Sequence, residues 1–297
     1  MGEFLEKLGG QLAERRAAQL LGPLLFWAGG GLAWVSRIGW NCAVQRLAVL
    51  TTDEKVALTV VELLVLAISA TLAQRFAQPV LRLLEGFWHP WVDPLRRTLT
   101  GRFARRLARL DQRFQELVTI LEIRPLSAPE HEEYVQVDSQ LRSAPVLPND
   151  LLPTRLGNII RGAEGRPFSK YGLEATVCWP RLWLLLPEAA KKDLGESREV
   201  LDSIAVAWLW SVLFFVWTFW IHWAAIVAAA GAMLAYYWML DAAQVYGDLL
   251  ESVFDVYRGE LYKALRWELP MDGEREREEG KRLTQYLWRG FIADRDR

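Results

Sequence analysis

Cysteine and histidine are scarce in this sequence. Its 297 residues include two cysteines, Cys42 and Cys178, and three histidines, His89, His131 and His222. The cysteines lie far apart with no motif between them. That excludes a disulfide framework or a Cys-rich zinc site and leaves two free thiols as the expectation. The histidines fall in unrelated segments, so no metal-binding or acid–base cluster is legible. Walker A, GxGxxG, HExxH, CxxC and GxSxG patterns are all missing. Neither an enzyme activity nor a cofactor is therefore expected. Internal repeats are missing too, and the two apolar blocks differ in composition, which argues against a transporter built from inverted repeats. The net charge is −1, so no nucleic-acid partner is implied. Met1–Gln19 is amphipathic and of mixed charge, and no small-residue cleavage site follows it, so a cleaved signal peptide is not expected.

The apolar residues, in contrast, are abundant and concentrated. They fill Ala17–Ala77 and Leu201–Leu240, and most of the 15 tryptophans lie in or beside these blocks. Tryptophan favours the membrane–water interface, where its ring is buried and its N–H stays wet. A helix crosses a bilayer with about 20 predominantly apolar residues. Four candidate spans follow: Ala17–Ser36, with Gly22, Pro23 and Gly29-Gly30-Gly31 inside it; Val56–Ala73, interrupted by Glu62; Leu201–Ile221; and Ala224–Leu240, rich in small residues and ending in Tyr236-Tyr237-Trp238. The link Arg37–Lys55 is only mildly polar and partly helical in expectation. The second block is too long for one straight span, so a hairpin with a tight turn near His222 is predicted. Arginines crowd the segment after the second span, from Arg75 to Arg113, while the His222 turn has neither lysine nor arginine. By the positive-inside rule both termini and the middle region are cytosolic and the turn is outside.

Pro94–Arg124 reads as a long amphipathic helix, with Leu99, Phe103, Leu107, Leu110, Phe114, Leu117 and Leu121 on one face and arginines elsewhere. It suits a bundle helix with a solvated basic face, or a helix near anionic headgroups. Pro125–Pro153, broken by prolines and acidic around Glu130–Glu133, reads as a loop. Beyond it a short helix with Leu156, Ile159 and Ile160 inward puts Arg155, Asn158 and Arg161 on its polar side. Two guanidinium groups there suit phosphate or carboxylate, so these three residues are the candidate anion site; the alternative is a structural junction. The last span runs on without proline from Asp241 to Leu265, and Pro270 ends it. Asp241, Asp248 and Asp255 recur at seven-residue spacing, along one slowly drifting face. With Glu62 they are the candidate pore-lining residues, because rings of acids select cations and intramembrane acids usually face water or a bundle interior. The same stripe equally suits a solvated face. In the charged tail Asp272–Arg297, Leu283, Tyr286, Leu287 and Phe291 form a possible docking stripe.

The block Leu152-Pro153-Thr154-Arg155-Leu156-Gly157-Asn158-Ile159-Ile160-Arg161, with Tyr171-Gly172-Leu173 and Trp179-Pro180-Arg181-Leu182, resembles one found in a family of uncharacterised bacterial membrane proteins. The resemblance implies a multi-pass protein of the bacterial inner membrane and carries no activity with it. The overall plan also resembles membrane effectors of bacterial anti-phage systems, which implies antiviral defence. The expected fold is all-α, an integral membrane protein with two transmembrane helical hairpins and a helical cytosolic region. Its expected parts are 1–78 (amphipathic segment and first hairpin), 79–200 (cytosolic), 201–241 (second hairpin) and 242–297 (helical extension and tail). The leading functional expectation is an oligomeric channel or pore-forming effector gated from the cytosol, with copies of itself, membrane lipids and an anionic cytosolic ligand or protein as partners. The competing expectation is a non-conducting anchor or scaffold; a lipid-directed membrane enzyme ranks third.

Overall fold

The computed structural model describes residues 2–270 and 272–290, the side chains of 2–19, Leu47 and Glu274 excepted. Among the described residues there is helix and no strand. The chain divides into two compact units, Met1–Leu81 with Val200–Met239, and Arg82–Glu199 with Leu240–Arg297.

The first unit holds α1 (Gly2–Ile38), α2 (Trp40–Val49), α3 (Thr52–Arg75), most of α4 (Ala77–Glu85), the later part of α9 (Glu188–Leu213) and the start of α10 (Ala224–Ala264). The link after α1 is helical, as α2, and starts at Gly39. A capping box starts α3: the Thr51 hydroxyl accepts from Glu54 N, and the Glu54 carboxylate accepts from Thr51 N. These bonds satisfy donors that no intrahelical carbonyl reaches. Helix α9 tightens into a 3-10 segment, Phe214–Phe219, and the chain turns at Trp220–Trp223 into α10. A Cβ on Gly231 would come within 2.9 Å of Ser211 Oγ, so α10 packs back on α9 across this turn.

Helix α1 lies against the same structure. Phe26 sits 5.4 Å from the Trp210 ring and 5.2 Å from the Trp217 ring, and Trp27 Nε1 donates to Ser69 Oγ at 3.2 Å. The glycines of α1 allow this approach, because a Cβ on Gly30 would fall 2.6 Å from the Trp217 ring.

Three helical stretches among the described residues are long and apolar enough to cross a membrane: Thr52–Arg75, Glu188–Phe219 and Ala224–Ala264. The expected span Ala17–Ser36 lies within α1, with residues 17–19 outside the described side chains.

The second unit starts with α5 (Asp93–Ile123), the long amphipathic helix expected from the arginine-rich pattern. The expected loop after it is wrong. Residues Ala128–Arg142 form α6, started by a second capping box from Ser127 and Glu130 with Pro129 in its first turn. Proline there costs nothing, since its missing N–H has no intrahelical partner at that position. Helix α6 folds back on α5: Phe114 stacks on Tyr134 at 5.2 Å, and Arg113 forks onto Glu133 with both bonds at 2.8 Å. Next come α7 (Arg155–Tyr171), α8 (Ala175–Leu185), the start of α9, the rest of α10, and α11 (Gly273–Arg289).

The core of this unit is built on Cys178, Leu182, Phe254, Leu261, Tyr262 and Leu283, all fully buried. The unbroken extension of α10 is as predicted, but Pro270 does not end it. The helix stops at Ala264, where Arg266 takes φ 55 and Trp267 N reaches back to Tyr262 O, the bonding pattern of a Schellman stop. Of the tail's docking stripe, Leu283 and Leu287 pack into this chain's own core and Tyr286 meets Trp267; Phe291 lies outside the described residues.

Candidate functional sites

Glu62 sits near the middle of the 24-residue helix α3. It is exposed, and among the described residues it has no hydrogen-bond or ion-pair partner. Its place on the helix is informative. Glu62, Leu66, Ser69 and Ala73 recur at spacings of four, three and four, which puts them on one face. That face is progressively covered. Ala73 is buried, Ser69 takes the bond from Trp27 of α1, and Leu66 is half-buried. Glu62 therefore lies just beyond the α1–α3 seam on the same face. Leu63 and Leu64 point elsewhere and are 60% and 55% exposed.

The acidic stripe of α10 has a different environment from the one expected. Asp241 is exposed. Asp248, Glu251 and Asp255 are engaged by two cations one turn apart on α7. Arg166 bonds Glu251 and lies 3.7 Å from Asp248. Lys170 bonds Glu251 at 2.5 Å and Asp255 at 3.2 Å, and Tyr171 donates its hydroxyl to Asp255 at 2.7 Å. Two helices with opposite charges at matching pitch thus form a clasp. Asp255 is thus paired within the chain rather than facing open water, while Asp248 stays exposed at the edge of the clasp, with its side chain 58% exposed. The cations on α7 were missed because the sequence does not reveal which helix lies beside α10. The matching spacings, four residues on α7 and three then four on α10, were the available signal.

Glu251 is the centre of this clasp. Burial opposes its charge, but the bonds from Lys170 and Arg166 outweigh burial and hold its carboxyl below the usual value. A carboxylate depressed in the folded state stabilises above its unfolded pKa, and that contribution disappears as pH falls through the depressed value. Glu85 and Glu164 act in the opposite sense, because burial raises both. Comparison with a variant isolates the Glu251 effect. Lowering the pH below the ordinary value of 4.5 is expected to reduce the wild-type Tm more than that of Glu251→Gln, so the gap between the two narrows in acid. A gap constant from pH 7 to pH 3 would mean that the clasp does not stabilise the fold.

The three candidate anion-site residues do not all converge: Arg155 and Asn158 line one groove and Arg161 lines another. Thr154 caps α7 through Gly157 N at 3.0 Å. Asn158, expected on the polar side, is buried. Its amide is spent on the main chain of Leu152, accepting from N at 2.7 Å and donating to O at 3.0 Å. It anchors the loop before α7. Arg161 pairs with Asp150 at 3.2 Å and with Glu164 at 3.5 Å, and lines a cavity of about 160 Å3. Arg155 is exposed and lines a different cavity, with Arg106 of α5, which the sequence reading had not singled out.

Both cysteines are free. Burial pushes the Cys178 thiol up to about 11, which makes it a packing residue rather than a nucleophile. Among the described residues no cluster of three or more His, Cys, Asp or Glu is arranged to hold a metal ion. No protein family, curated protein or solved structure matches this chain.

Proposed function

We propose that this chain is an integral membrane protein that assembles with copies of itself and conducts cations past Glu62, as a channel or pore-forming effector gated from the cytosol. The observation that carries this reading is Glu62 itself. It stands at mid-span in α3, whose most apolar window is only 11% buried by the rest of the chain. An ionised carboxylate at the centre of a bilayer costs about 2.5–3.5 kcal/mol on insertion scales. A water-filled path or a facing copy removes that cost, and the position of Glu62 beside the α1–α3 seam suits a path inside a helix bundle. Packing of α1 against α3 and α9 supports Ala17–Ser36 as a fourth span, and hence two hairpins with both termini cytosolic. The arginine-rich α5 then faces the cytosol and the uncharged His222 turn faces out.

A second reading, a non-conducting anchor that recruits a cytosolic partner, is favoured by the clasp. With Asp255 paired to α7 and Asp248 at the edge of the clasp, only Glu62 and Asp241 of the four candidate acids lie clear of α7's cations. Planar-bilayer recording separates the two. The channel reading predicts cation-selective currents from purified protein, with selectivity over anions lowered several-fold in Glu62→Gln. Currents with unchanged selectivity would remove Glu62 from the path, and an assembled protein that never conducts would leave the anchor.

A further inference from the structure

A groove of about 260 Å3 lies between α5, the last turn of α6 and the start of α7. Its apolar wall includes Phe103, Leu107, Leu110 and Ile159, and its polar side includes Arg106, Arg155 and Gln140. Among the described residues no aspartate or glutamate lines it. Several arginines elsewhere in this unit are matched by acids, Arg113 by Glu133 at 2.8 Å, Arg124 by Glu130 at 2.8 Å and Arg161 by Asp150 at 3.2 Å, while Arg105, Arg109 and Arg181 bond main-chain carbonyls of their own helices. In the groove the match is missing. Among the described residues the Arg106 side chain bonds the neutral Gln140 amide, at 3.0 Å, with no acid, and the Arg155 side chain has neither a hydrogen bond nor an ion pair. The neighbouring cavity of about 160 Å3 sharpens the contrast, because there Arg161 shares the lining with Asp150, Glu164 and Glu174. The groove also opens at the start of a 17-residue helix, whose N-terminal dipole adds to the positive potential.

We propose that this groove binds a small amphipathic anion, a phosphate or carboxylate carried on an aromatic or short aliphatic group. Arg106 and Arg155 take the anion, and the Phe103–Leu107–Leu110 wall takes the apolar part. Guanidinium forks match both oxyanions. The volume is just below the range of pockets for drug-sized molecules, about 300–1,000 Å3, which limits the ligand to a smaller one. The site stands whether or not the protein conducts.

Calorimetric titration of the full chain in a non-ionic detergent tests it with three probes: phenyl phosphate, inorganic phosphate and benzyl alcohol. Phenyl phosphate is expected to bind, and each of the other two at least about tenfold more weakly, since each lacks one half of the recognition. Arg106→Gln and Arg155→Gln are each expected to weaken phenyl phosphate about tenfold or more, while Arg161→Gln leaves it unchanged. Ala144→Trp, which fills the groove without touching either arginine's charge, is expected to abolish binding. Three results would overturn the proposal: no binding of phenyl phosphate to the wild type, inorganic phosphate or benzyl alcohol binding as tightly, or full affinity in the Arg106→Gln, Arg155→Gln double variant.

Discussion

Replacing Gly280 with valine is expected to release α11 from the second unit. Asp272 caps this helix by accepting from Arg275 N at 2.8 Å, and Leu283 is fully buried beneath it. Thr284 adds polar anchoring. Its hydroxyl donates to Gly172 O at 3.2 Å and accepts from Glu174 N at 3.1 Å. These contacts require two backbones to touch. A Cβ on Gly280 would stand 1.9 Å from Tyr171 O, and one on Gly172 would stand 2.1 Å from Arg277 O. Gly172 also closes α7 with φ 72, a conformation that side chains resist. Neither clash is with a flexible side chain, so relief requires α11 to move away. A loss of about 3 kcal/mol or more is expected, at the upper end for overpacking. Hydrogen exchange should then show α11 amides unprotected while α5 and α6 keep their protection. Full protection of α11 in the variant would refute the close approach.

Gly157→Ala is expected to cost as much, for the same reason at another contact. Gly157 lies in the first turn of α7, and a Cβ there would meet Glu85 O at 1.9 Å and the Leu152 side chain at 2.9 Å. The carbonyl of Glu85 approaches so closely that only a hydrogen on Cα fits between them. Gly165 in the same helix provides the control. Nothing lies within 4 Å of its Cβ position, so Gly165→Ala is expected to stabilise by about 0.5–1 kcal/mol through helix propensity alone. Denaturation of the two variants side by side should show opposite signs. Two changes of the same sign would mean that the Glu85 contact is not formed.

Much of the helical layout was legible because it rests on local signals. Period and length marked α3, α5 and the unbroken α10, and the absence of charge between Asp202 and Asp241 marked the turn at Trp220–Trp223. Helix α6 was missed by counting prolines. Pro129 lies where a helix begins, and Ser127 with Glu130 is a start signal rather than a break. The end of α10 was misplaced for a related reason. Arg266 adopts a left-handed conformation that its residue type does not announce. The candidate sites were less legible, because burial and pairing are tertiary. Nothing local reveals that Asn158 turns inward to hold Leu152, or that Arg166 and Lys170 lie against Asp248, Glu251 and Asp255. Arg106, 49 residues before Arg155, has no sequence relation to it and joins its groove only through the folding of α5 onto α6 and α7.

Conduction past Glu62 requires this carboxylate to face water within the membrane. Cysteine accessibility tests it most directly. With Cys42 and Cys178 replaced by alanine, single cysteines at Glu62, Leu63 and Leu64 are exposed in native membranes to a small, charged, water-soluble thiol reagent. Fast modification is expected at position 62 and protection at 63 and 64, whose side chains point elsewhere on α3. Position 62 as unreactive as position 64 would contradict it.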